Sequence, residues 1–352
     1  NSTVHFDDQP NKRKHLIEDI ELLLPRPSNE QQLEPSLKAM INSSPVLIQG
    51  QRYVGESGME TRLSLQLKDI DPQQYLTWLP GMADTITAEA QQADATLELI
   101  FQEQDDQGPT LTGTFNATSL HIHQLQPVQA IAPQENTGKQ VSLNADVKIP
   151  QLTLAFRAVP LQQFYTIEKL IIDGATFDLH TSSEPIHNKE LLTIASDLLN
   201  PEAFRLAVDK LSLKNSTITS TATGSKSESK QAWQDIQLDL NNYHNTKATN
   251  FLAKKTQATA LFSMRNEESL ISFQGDVAPN LNLSGRITLK NMDATMLHSA
   301  LEPTIRLSKG KLHLTGLVHS EQIDKDEKNR LWQFSDSSIK ITDFTVKDQG
   351  TL

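Results

Sequence analysis

The 352 residues include no cysteine, which excludes disulfides, thiolate metal sites and cysteine nucleophiles together. Aromatic residues are scarce at 5%, leaving little for carbohydrate stacking platforms or a large aromatic core. Long apolar runs are missing. Nothing approaches the roughly 18 consecutive apolar residues of a membrane-spanning helix, and clusters such as Leu22-Leu23-Leu24 and Leu170-Ile171-Ile172 stop at three. Positive charge is also short: 32 Lys+Arg against 43 Asp+Glu give a net charge of −11. That balance speaks against nucleic acid, whose phosphates need a basic stripe, and against tight docking on an anionic membrane. No Met-led, basic-then-apolar stretch opens the chain, which begins at Asn1 in strand-like sequence and reads as a slice of something longer.

What is present is alternation. In Thr61-Arg62-Leu63-Ser64-Leu65-Gln66-Leu67-Lys68 every second residue is leucine and the residues between are polar, the pattern of a strand with one buried face. It recurs at Ala95/Leu97/Leu99/Phe101, Leu111/Gly113/Phe115/Ala117, Val141/Leu143/Ala145/Val147/Ile149 and Leu152/Leu154/Phe156. Later runs include Ile236/Leu238/Leu240, Ala258/Ala260/Phe262/Met264, Leu281/Leu283, Ile287/Leu289, Leu312/Leu314 and Ile339/Ile341. Turn signals separate them at Asp105–Pro109, Asn136–Lys139, Asp173-Gly174, Asn266-Glu267-Glu268 and Lys309-Gly310-Lys311. The fold class expected is mainly β, with meandering antiparallel strands and one wet face. Helical signal is confined to Asp71–Leu79, Asn188–Leu199 and, more weakly, Ser36–Ile41; Gly224–Lys230 reads as a loop.

The sequence also repeats. Asn1-Ser2-Thr3-Val4 returns as Asn215-Ser216-Thr217-Ile218, Asp19-Ile20-Glu21-Leu22 as Asp235-Ile236-Gln237-Leu238, and Leu67-Lys68-Asp69-Ile70-Asp71 as Leu289-Lys290-Asn291-Met292-Asp293. Three matches in register predict a first unit over 1–214 and a second, truncated copy over 215–352.

Candidate chemistry is thin. His121 and His123 share a strand face at metal-ligand spacing but lack an identifiable third ligand. Asp69 and Asp71 resemble a carboxylate pair, yet only Asp71 recurs as an acid, at Asp293, and it stands where a helix opening at Pro72 needs its N-cap. The acidic stretch Asp324–Glu327 lacks the glycine of a calcium loop and reads as a hairpin tip. Ser308-Lys309-Gly310-Lys311 fits a serine acylase spacing but falls in an expected turn, and no phosphate-binding loop, dinucleotide fingerprint or zincin motif occurs. The chain is therefore read as a non-enzyme with no cofactor and no catalytic or metal site.

The remaining feature is the apolar stripe, too wide for the few helices to cover. Either two sheets pack face to face as a closed sandwich, or one sheet curls into an open apolar groove able to hold acyl chains. Candidate lipid contacts are Leu63, Leu65, Leu67, Leu97, Leu99, Leu143, Val147, Leu152 and Leu154 in the first copy, and Leu281, Leu283, Ile287, Leu289, Leu312 and Leu314 in the second.

The segment Thr61 to Pro80, an alternating leucine strand running through Lys68-Asp69-Ile70-Asp71-Pro72 into Tyr75-Leu76-Thr77-Trp78-Leu79-Pro80, resembles the AsmA-like superfamily. It is most similar to the large bacterial envelope branch catalogued as a domain of unknown function, and the strand order through Asp173–Leu179 is similar too. The resemblance implies a periplasmic segment of an inner-membrane-anchored protein, its anchor lying outside this sequence. It further implies a long β-sheet groove, a phospholipid or other acyl-chain lipid as partner, and a part in lipid conduction or outer-membrane assembly.

Overall fold

A computed structural model describes residues 3–8, 13–24, 35–55, 58–76, 86–102, 108–124, 128–130, 141–162, 164–181, 205–223, 228–245, 258–278, 282–294, 305–322 and 330–348. Nearly all of them are strand. The first half carries β1 (Val4–Asp8), β2 (Arg13–Leu23), β3 (Ser36–Ile41), β4 (Ser44–Gly55) and β5 (Gly58–Leu67), then the helix α1 (Pro72–Leu76), the one α-helix among the described residues. There follow β6 (Ile86–Glu89), β7 (Gln92–Gln102), β8 (Thr110–Gln124), β9 (Val128–Ala130), β10 (Val141–Val159), a 3-10 turn at Pro160–Gln162, β11 (Phe164–Asp173) and β12 (Thr176–Thr181). The second half is β13 (Arg205–Thr223), β14 (Glu228–His244), β15 (Thr259–Arg265), β16 (Leu270–Val277), β17 (Leu283–Asp293), β18 (Ile305–Gln322) and β19 (Arg330–Asp348).

All nineteen strands belong to one sheet. Hydrogen-bonded neighbours run β1, β2, β3, β4, β5, β7, β8, β10, then β11 and β12 end to end, then β13 through β19, with β6 and β9 filling beside β8 and β10. Sixteen positions at ~4.8 Å make the sheet about 72 Å across. Its accessible surface, 24128 Å², far exceeds the ~14,000 Å² of a compact protein of 39.2 kDa. The sheet is therefore elongated, and the mainly β, repeat-built architecture expected from alternation is what forms.

Five local expectations are corrected. Ser36–Ile41 is strand β3 rather than helix, because Leu37, Ala39 and Ile41 alternate and an isolated helix of six residues is too short to sustain itself. Lys309-Gly310-Lys311 is no turn but lies inside β18, where Gly310 at φ +154° sits at a register shift opposite β19. Asp173-Gly174 does not reverse the chain; it breaks one long strand into β11 and β12, both antiparallel to β10. Glu228–Lys230, expected in a loop, begins β14. The sheet is not wholly antiparallel either, since β13 runs parallel to β11 and β12. Parallel neighbours need a long return connection, which the 23 residues between Thr181 and Arg205 provide. The helix expected at Asn188–Leu199, and the tips at Asn136–Lys139 and Asp324–Glu327, lie outside the described residues.

Strand pairing shows the repeat directly. Val4↔Ile17 in β1–β2 corresponds to Ile218↔Trp233 in β13–β14, and Leu22↔Leu37 to Leu238↔Phe262. Val46↔Leu67 corresponds to Ile271↔Leu289, Leu67↔Ala95 to Leu289↔Leu314, and Ala95↔Phe115 to Leu314↔Ile339. Hence β13 to β19 repeat β1, β2, β3, β4, β5, β7 and β8 in register, except beyond Thr315, where a shift between β18 and β19 has no counterpart between β7 and β8. The sequence junction at 214/215 falls inside β13, so the sheet passes through it without a linker.

Left-handed residues mark the same level on strand after strand. Asp19 (φ 52°) and Asp235 (φ 48°) are counterparts, as are Asp69 (φ 48°) and Asn291 (φ 53°), and Ser119 (φ 51°) and Asp343 (φ 52°). Asp and Asn tolerate this conformation because their short side chains bond locally. Here those bonds cross strands. Asn291 Nδ2 donates to the Glu268 carbonyl (2.8 Å) and Asn215 Nδ2 to Asp173 Oδ1 (2.8 Å), while Asp69 is held through its backbone N–H, which donates to the Asp94 side chain at Oδ1 (3.0 Å). Most of these residues sit in register shifts, and bulges bend and twist the strand that holds them. A row of bulges therefore places the bend at one level across the sheet.

Candidate functional site: one apolar face across fourteen strands

Directly paired residues share a face of the sheet, so the registers decide what the alternating stripes become. One transverse row reads Ala39, Val46, Leu67, Ala95, Phe115, Leu154 and Leu170 through β11, and continues as Leu211, Leu240, Ala260, Gly275, Gly285, Val318 and Phe334. It crosses fourteen strands, about 62 Å at ~4.8 Å each, without one polar side chain. A parallel row two residues along holds Ala93, Ala117, Leu152, Ile172, Leu213, Leu238, Phe262, Phe273 and Ile287. The opposite face is mostly polar, as in the row Ser64, Glu98, Thr112, Arg157.

The candidate lipid contacts whose side chains are described fall on the apolar face together. Leu63 pairs with Leu99 and Leu65 with Leu97; Val147 faces Ile122, and Leu283 faces Val277. Leu63 is 40% exposed. Leu65, Leu67, Leu97, Leu99, Val147, Leu152, Leu154, Leu283, Ile287 and Leu289 are half-buried. Leu312 and Leu314 are buried, Leu312 among Met292 and Ala294. Leu143 takes its place in β10 opposite Thr181, and Leu281 lies outside the described residues. Sequence reasoning missed Val46 and Ile48 on β4, Leu211 on β13, and Ile271 and Phe273 on β16. The same alternation marks all of them, only over shorter runs.

Burial gathers in three clusters on this face. Ile70, Ala93, Ala117, Leu120, Ile149 and Ala175 form one near the bulge level, Met292, Ala294 and Leu312 its counterpart in the second copy, and Val208, Tyr243 and Val277 a third at the other strand ends. Burial pushes the Tyr243 phenol up to about 12. Ser216, fully buried, donates to the Lys214 carbonyl (2.8 Å) and accepts the Ala175 N–H (3.2 Å), so the break between β11 and β12 leaves its backbone satisfied. Gly275 and Gly285 face each other so closely that a Cβ on Gly275 would stand 2.5 Å from the Gly285 Cα.

The polar candidates make the following contacts. Asp71 caps α1: its Oδ1 accepts the Gln73 N–H (3.1 Å) and its Oδ2 the Gln74 Nε2 (3.1 Å). Asp69 stands apart in function, as a left-handed residue whose carbonyl accepts the Ser44 hydroxyl (3.1 Å). A recess of about 320 Å³ lies between them and Glu89–Gln92. His121 Nε2 meets Asp146 Oδ1 of β10 at 2.5 Å, and its ring centroid lies 6.4 Å from that of His123. Among the described residues no group of three metal-ligating side chains gathers. The serine of the Ser308–Lys311 spacing lies on β18, not at a helix start. Arg62 pairs with Glu60 and Glu98 on the polar face, and its hydrogen bond, followed by that of Gln102, holds the Glu60 carboxyl below its usual range.

No protein-family model matches the chain, and comparison with curated proteins and with solved structures returns no match to either. No helix among the described residues is long and apolar enough to cross a membrane.

Proposed function

We propose that this chain is a periplasmic segment of an inner-membrane-anchored, AsmA-like envelope protein, and that its apolar sheet face holds the acyl chains of phospholipid. In this reading it is a conduit or assembly scaffold for the outer membrane and carries no catalytic site. The observation that supports it is the fourteen-strand row from Ala39 to Phe334, unbroken by charge and lined on both sides by half-buried leucines. Apolar surface of that extent is kept accessible for a ligand or partner. Each CH₂ of an acyl chain laid along it leaves water at a gain of about 0.8 kcal/mol, and a purely aliphatic lining asks for chain and not for a particular headgroup. Against a closed sandwich array stands the placement of all nineteen strands in one sheet.

The test is site-specific photocrosslinking in cells of a diderm bacterium. A photoreactive residue at Leu65 or Leu283 should capture lipid, while one at Thr96 or Ser284, exposed on the polar face, should not. Equal capture at all four positions, or none anywhere alongside lipid-free protein in native mass spectrometry, would overturn the reading.

A further inference from the structure

The two edges of the sheet differ. β1 is five residues long, as guarded edges usually are. β19 is nineteen residues long, contains no proline, and carries one lysine between Leu331 and Phe344. Among the described strands β18 alone is hydrogen-bonded to it, which leaves its outer edge without a described neighbour.

The internal repeat specifies what such an edge is built to receive. β19 is the counterpart of β8, with Ile339 in the place of Phe115, Ile341 of Ala117 and Phe344 of Leu120. In the first copy the outer edge of β8 is covered by β10, antiparallel, with Phe115↔Leu154, Ala117↔Leu152 and Leu120↔Ile149. The exposures record the difference. Leu120 is 5% exposed and its counterpart Phe344 56%; Phe115 is half-buried and its counterpart Ile339 is 62% exposed. Of the two left-handed residues of β19, Asp336 lies outside the stretch from Ile339 to Phe344, and Asp343 is no bar to pairing, because Ser119 has the same conformation and β10 passes it with Pro150, which has no N–H to satisfy.

We infer that the outer edge of β19 is a docking site for one further β-strand of the β10 kind. The partner is an extended protein segment lying antiparallel to β19, with aliphatic residues opposite Ile339, Ile341 and Phe344 and a residue needing no hydrogen bond opposite Asp343. Such a strand carries the apolar face one position further and seals the side chains that the edge now exposes. Main-chain hydrogen bonds supply the affinity and the alternate pockets the register.

The chain lacks cysteine, so disulfide trapping reads the register without background. A labelled peptide of residues 141–159 is titrated into the whole chain, beside a peptide of the same composition with the alternation scrambled. The expected result is saturable binding at least about tenfold tighter than the scrambled control. The Ile339→Cys chain should form a disulfide with the peptide bearing Leu154→Cys and not with that bearing Thr153→Cys, which points to the other face. Ile341→Cys with Leu152→Cys is the second pair, should Ile339→Cys disturb the far-ultraviolet spectrum. Equal binding of both peptides, or trapping indifferent to position, overturns the proposal. So does an Ile339→Cys homodimer that excludes the peptide, which would assign the edge to a second copy of the chain.

Discussion

Asn291 is the place to test whether the row of left-handed residues is built in by the sequence. Its φ is 53° and its Nδ2 donates to the Glu268 carbonyl at 2.8 Å, while its own carbonyl accepts the Ser269 hydroxyl at 2.8 Å. Replacing it with alanine leaves a Cβ in the left-handed region without the local bonding that makes it tolerable, a cost of about 1–2 kcal/mol. The lost side-chain hydrogen bond adds about 0.5–1 kcal/mol. Asn291→Ala should therefore destabilise by roughly 1.5–3 kcal/mol. Asn291→Gly loses the same hydrogen bond and about 0.5–1 kcal/mol of chain entropy but adopts the backbone freely, so it should cost less than alanine, about 1–2 kcal/mol. Three residues away Thr288 has an ordinary strand conformation, and there the order must reverse, with Thr288→Gly worse than Thr288→Ala by about 0.5–1 kcal/mol. Urea unfolding followed by circular dichroism gives the four values. Because long repeat arrays can lose two-state behaviour, hydrogen exchange of β16–β18 amides accompanies it. If alanine is no worse than glycine at Asn291, the backbone argument is wrong, and the bulge is imposed by its neighbours.

Other consequences follow from single positions. Ser216→Ala strips the buried Ala175 N–H of its acceptor and should cost about 1–3 kcal/mol by thermal or urea unfolding; an unchanged midpoint would refute the assignment. Gly275→Ala drives a methyl into the backbone of β17 and should destabilise by about 1–3 kcal/mol, whereas Ser284→Ala beside it, exposed on the polar face, should be near neutral. Tyr243, 1% exposed, has its phenol pushed up to about 12. The neutral form is favoured in the folded state, so its contribution is intact below pH ~10, the unfolded value. It is lost as pH rises from there toward 12, by at most a few kcal/mol. Tyr243→Phe should flatten that alkaline decline, and a variant with the parent's slope would remove the cause.

Period-two leucines were enough to read β structure with one apolar face on each strand, because a strand's side-chain alternation is local and survives any tertiary arrangement, while the repeat was legible in short segments that recur in the same order. The capping role of Asp71 was legible for the same reason: its partners lie two and three residues away. What alternation leaves open is register, since a slip of one residue exchanges the faces. Only strand pairing put Leu67, Phe115, Leu211 and Val318 in one row rather than in separate sandwiches. Nor does a local pattern distinguish a glycine that turns the chain from one that kinks a strand, which is why Gly174 and Gly310 read as turns and are breaks within long strands. The parallel placement of β13 depends on where a long connection returns, a matter of whole-chain topology. Which residues face together along each strand follows from their order alone, through a period set by backbone geometry. Tertiary structure decided how those faces join across strands, because hydrogen bonding between distant segments carries no signature in the order of residues.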